Sequence, residues 1–118
     1  MPRALCLWGD LGSGKTTFTK GLAKGLGVTA RMLSPTFIIV RHYPITANGS
    51  VLYHWDLYRT NSSHDLTTLG LSDVISDPHA ISVIEWPERL GDALPNRRID
   101  LRFITRPDEF HEIEGKIV

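Results

Sequence analysis

The 118-residue chain is 42% hydrophobic and 22% charged, the balance of one ordinary globular domain with a single core. Its 13 Lys and Arg cancel its 13 Asp and Glu, so the basic excess that drives a stand-alone nucleic-acid binder is missing. The single cysteine, Cys6, excludes an internal disulfide and agrees with a cytoplasmic setting; the apolar run before Gly9 is too short for a signal-peptide core or a membrane span.

Residues 4–8 are a continuous apolar run ending in glycine, the pattern of a buried strand that takes in Cys6 as a core residue. Residues 15–26 put Phe18, Leu22, Ala23 and Leu26 on one helical face, with Gly27 as C-cap. Gly21 and Gly25, one turn apart, read as a close helix-packing face. Ser34-Pro35 marks a turn, and the β-branched and aromatic residues of 36–43 predict a strand. Asn48-Gly49 signals a hairpin that returns through residues 51–55. A short helix is expected over residues 64–69. Residues 81–84 form an apolar strand core that ends at Glu85, and Pro87 suits the first turn of another short helix. Residues 99–104 and 110–118 read as two last strands. Arg97, Arg98, Arg102 and Arg106 read as a solvated strand face. This order predicts an α/β fold with a mixed central sheet.

Gly9-Asp10-Leu11-Gly12-Ser13-Gly14-Lys15-Thr16 satisfies G-x-x-x-x-G-K-[ST] at every fixed position, between an apolar strand and an amphipathic helix. Gly12 and Gly14 allow turns that a Cβ would block. The backbone N–H groups of Ser13, Gly14, Lys15, Thr16 and Thr17 can then point at phosphate oxygens, helped by the positive end of the helix. Lys15 supplies a mobile cation for the β- and γ-phosphates, and the Thr16 hydroxyl is the expected magnesium ligand. Such a cradle needs an acid near the metal and a group that orients the attacking oxygen. Glu85 and Asp56 stand at the carboxyl ends of apolar strands, where ligands of open α/β sheets bind. The five histidines show no metal-ligand spacing, so no zinc site is expected. His54 reads as a strand residue beside Asp56, and Trp55 and Trp86 as core aromatics.

These segments resemble the TsaE family. The phosphate loop through Thr17-Phe18, Ser34-Pro35-Thr36-Phe37, Tyr53-His54-Trp55-Asp56-Leu57-Tyr58-Arg59, Leu69-Gly70-Leu71-Ser72-Asp73 and Ile84-Glu85-Trp86-Pro87-Glu88 follow the family's motifs in order. The resemblance implies a P-loop NTPase-like three-layer sandwich and a magnesium-dependent ATPase that supports threonylcarbamoyladenosine modification of tRNA. TsaD and TsaB would be its partners, holding most of the tRNA, with no membrane involved. It also implies that Glu85 is the acid at the metal, that Asp56 is needed for hydrolysis, that Thr36 approaches the γ-phosphate, and that Trp86 stands beside the site. Trp55 takes a position where phenylalanine is common. Residues 1–118 then form a single P-loop ATPase domain lacking the family's N-terminal segment, which helps enclose base and ribose. The rival readings are a small-molecule kinase, which would need an Arg-bearing lid that residues 61–79 do not supply, and a nucleotide sensor without turnover. A GTPase ranks lower because N-K-x-D is absent.

Overall fold

A computed structural model describes residues 2–10, 14–29, 39–45, 48–59, 70–107 and 111–118. In chain order its elements are β1 (Ala4–Trp8), α1 (Lys15–Leu26), β2 (Val40–Pro44), β3 (Val51–Asp56), α2 (Leu71–Ser76), β4 (Ala80–Glu85), a 3-10 helix (Pro87–Ala93), β5 (Ile99–Thr105) and β6 (His111–Ile117). They build a six-stranded sheet in the order β2-β3-β4-β1-β5-β6. The inner four strands run parallel, with Leu7 opposite Glu85 on β4 and Asp56 of β3 opposite the other side of Glu85. The antiparallel strands β2 and β6 close the two edges.

Two cores explain why the inner strands are apolar on both faces. On one face Leu7, Leu52, Val83 and Phe103 pack with Ala23, Phe18, Leu22 and Leu26 of α1. On the other, Cys6, Trp55 and Ile84 pack with Leu71 of α2 and Leu90 of the 3-10 helix. Helix, sheet and helix therefore form the three layers that the family resemblance implies. Burial pushes the Cys6 thiol up to about 12, as suits an inert core cysteine. Trp55 is buried as well, and its indole N–H finds the Ser82 hydroxyl at 3.3 Å, so the extra polar group of a tryptophan here is met.

β1 and α1 have the limits their sequences imply, and Gly27 ends α1 with φ 93 and its N–H on the Ala23 and Lys24 carbonyls. Four details differ from the sequence reading. Gly21 and Gly25 do not form a packing face among the described residues: both are exposed, and a Cβ at either would meet no described atom within 4 Å. Gly21→Ala and Gly25→Ala are therefore expected to stabilise the protein by about 0.5–1 kcal/mol each, read as a higher denaturation midpoint. The strand foreseen over 36–43 is β2 at Val40–Pro44; residues 31–38 lie outside the described set. The Asn48-Gly49 connection is longer than a two-residue turn, since Pro44 pairs with Val51 and the Asn48 side chain accepts from the Ser50 N–H at 3.0 Å. The helix at Leu71–Ser76 was not anticipated, and the one expected over 64–69 falls outside the described residues. Within the arginine group, Arg98 pairs with Asp100 at 2.9 Å and Arg106 with Glu112 at 2.7 Å. No described helix is long and apolar enough to cross a membrane.

Candidate functional site

The site grows from the junction of β1 and α1. Gly9 leaves the strand at φ 146, and Gly14 precedes the helix at φ 101 and ψ 8, left-handed conformations that strain any residue with a Cβ. Gly14 then accepts the Phe18 N–H at 2.9 Å, the first turn of α1. Gly12 and Ser13 lie outside the described residues, as does Thr36. Thr16 and Thr17 stand in the first turn, half-buried and exposed respectively.

Lys15 differs from the mobile cation its sequence position suggests. It is only 5% exposed; its ammonium donates to the Gly9 carbonyl at 2.6 Å and lies 4.1 Å from the centre of the Trp86 ring. A carbonyl and an aromatic face together shelter a charge that burial would otherwise make costly. Trp86 holds its ring there with a backbone at φ 60, the only non-glycine among the described residues at positive φ. That conformation costs about 1–2 kcal/mol. The ring also packs against Tyr58, centroids 4.9 Å apart. Trp86 thus lies against the phosphate-loop lysine, a placement that the family resemblance implies and the local sequence does not.

Beneath Lys15 the strand ends bring two acids together. Register places Asp56 and Glu85 side by side. Alternation puts both on the α1 face, because Leu52 and Val83 of the same strands pack there. Glu85 is 5% exposed. Asp56 is less enclosed and accepts the Tyr58 N–H at 3.1 Å. Burial raises the Asp56 carboxyl above its ordinary value and the Glu85 charge pushes the same way, against the Tyr58 hydrogen bond, Glu85's neighbour His54 and Lys15. A folded-state value above the unfolded one means that the protonated form favours folding; this contribution falls away as pH rises through the folded value. Without ligand, ionised Asp56 is a liability at neutral pH. Asp56→Asn is expected to melt higher than wild type at pH 7 and to lose that advantage near pH 4, measured by thermal denaturation.

The residue the sequence reading passed over is His54. It is buried, and its Nε2 lies 2.5 Å from Glu85 Oε2. Its Nδ1 is buried with no partner among the described residues. An unmet buried polar atom costs about 1–3 kcal/mol, a cost that the contact with Glu85 has to offset. The available signal was its spacing: His54 and Asp56 are two apart on one strand and share a face.

A glycine loop between a central parallel strand and a helix, with acids on the neighbouring strand ends, defines a P-loop NTPase-like protein. A family model described as threonylcarbamoyl adenosine biosynthesis protein TsaE matches residues 1–113, and the chain belongs to that family. The TsaE protein of Bacillus subtilis is 40% identical over 111 residues, 92% of this chain and 66% of its own length. That of Streptomyces coelicolor is 42% identical over 97 residues, 81% of this chain and 64% of its own length. The chain therefore spans just under two-thirds of these relatives. The crystal structure of Bacillus subtilis YdiB superposes with a TM-score of 0.77 at 34% identity, over 99% of this chain and 70% of that one.

Proposed function

We propose that this chain binds ATP with magnesium and hydrolyses it to support threonylcarbamoyladenosine modification of tRNA, as a cytoplasmic partner of TsaD and TsaB. The observation that carries the reading is the meeting of Lys15, Asp56 and Glu85 under the N-terminus of α1. The N-terminal amides and Lys15 together offer the positive charge a triphosphate needs. To reach the phosphates, Lys15 has to give up the Gly9 carbonyl and the Trp86 ring, so Trp86 lies where it can respond to an arriving nucleotide. Gly12, Ser13, Gly14 and Thr17 would complete the cradle, and Thr36 would approach the γ-phosphate.

Magnesium fits this set of donors. Burial and the neighbouring Glu85 charge raise the proton affinity of Asp56, and a hard divalent cation relieves that repulsion. Thr16 and Glu85 would hold it, and when bound it neutralises developing charge on the phosphate oxygens. Glu85 is fixed by His54, whereas Asp56 is less enclosed and has the raised proton affinity of a better base. We therefore assign Asp56 to orient the attacking water and take up its proton.

The test of the wider role is threonylcarbamoyladenosine formation on tRNA by TsaD and TsaB over many turnovers. Adding this chain with ATP should sustain product formation beyond the first turnover, and Lys15→Met should not. Equal yields with and without the chain would remove it from that pathway.

A further inference from the structure

We propose that His54 is a positioning residue for Glu85, holding one carboxylate oxygen so that the other stays aimed at the nucleotide's metal. The inference rests on the magnesium–ATP reading above and adds a residue to it.

Three observations meet at this side chain. His54 sits on a strand face whose other described members are Leu52 below it and Asp56 above it, and it pairs across to Val83, so its surroundings are those of a core residue. Its side chain is 2% exposed and that of Glu85 is 6% exposed, so their contact at 2.5 Å is shielded from water. A carboxylate only accepts, so Nε2 carries the proton and donates to Oε2. Nδ1 is then a buried polar atom with no partner among the described residues, which a purely structural polar contact would not leave unmet. The second observation concerns Glu85 itself. Among the described residues His54 is its only side-chain hydrogen-bond donor, and that bond engages one oxygen and leaves the other unclaimed. The third is reach. The bond runs diagonally between adjacent strands, two positions apart in register, so it fixes the tilt of the Glu85 carboxylate against the rigid centre of the sheet. Carboxylates that bind metals are commonly steadied in this way by an outer hydrogen bond, and its loss typically weakens metal affinity or activity by about 10- to 100-fold.

Glutamine and asparagine separate positioning from bulk and polarity. The glutamine amide ends at the depth of imidazole Nε2 and keeps a donor for Glu85, while the asparagine amide ends at the depth of Nδ1 and does not reach. We expect His54→Asn to lower kcat by roughly 10- to 100-fold. ATP affinity measured in EDTA should stay close to wild type, and the tightening that magnesium brings should be lost. His54→Gln should recover most of both. In a Glu85→Gln background, His54→Asn should add nothing more, because the two residues act as one unit.

Equal behaviour of the Asn and Gln variants, or a His54→Asn loss that adds in full to that of Glu85→Gln, would overturn the proposal while wild type still hydrolyses ATP. A wild-type chain whose ATP binding ignores magnesium and which releases no phosphate would overturn the magnesium–ATP reading, and this inference with it. Should His54→Asn melt well below wild type with magnesium-dependent binding intact, His54 is a core residue and the proposal fails.

Discussion

Glu85→Gln is expected to cut ATP turnover by about 10²–10⁴-fold while ATP still binds. The glutamine keeps the shape of the glutamate, and its carbonyl oxygen can still accept the His54 Nε2–H, so the sheet retains its packing. What it lacks is the second anionic oxygen for a cation and the charge that crowds Asp56. Glu85→Ala is the poorer variant: it leaves His54 buried without any partner among the described residues, at a further cost of about 1–3 kcal/mol. Phosphate release at saturating ATP, with thermal melting as the control for folding, separates the two effects. Turnover within a few-fold of wild type would remove Glu85 from the chemistry.

Lys15→Met should weaken ATP binding about 100-fold, or about 2.7 kcal/mol, with little change in the melting temperature of the ligand-free protein. Lys15 is buried, but as a charge resting on one carbonyl and one ring; methionine fills the same volume and has no charge to shelter. The same variant should also silence Trp86. In wild type, transfer of the ammonium from the ring to the phosphates should change tryptophan emission when ATP is added. In Lys15→Met there is no cation to move. Affinity by calorimetry and emission in a parallel titration test both parts, and unaltered affinity would place the triphosphate elsewhere.

The parts of this molecule that were legible in its sequence are those governed by local rules. The buried strand Ala4–Trp8, the helix Lys15–Leu26 and its Gly27 cap follow from apolar runs, a 3.6-residue period and a glycine at the end. Glu85 and Asp56 were found because each ends such a strand, and register then set them side by side. Other features depend on contacts between distant segments, which no window of sequence contains. The short helix Leu71–Ser76 has too few residues for a periodic signal and exists because Leu71 docks on Trp55 and Ile84. Gly21 and Gly25 carry a spacing that suggests packing, yet only the assembled molecule reveals that no described residue approaches them. The role of Trp86 depends on a positive φ that aromatic residues rarely adopt. His54 has the same cause: a histidine in an apolar strand is ordinary until the neighbouring strand presents a glutamate to it.

The most direct test of the central claim is steady-state ATP hydrolysis by the purified chain with magnesium, alone and with the TsaB–TsaD pair. The account predicts phosphate release that requires magnesium, rises with the pair and is lost in Glu85→Gln. Absence of phosphate release under both conditions, or transfer of the phosphate to a small-molecule acceptor instead of water, would contradict it.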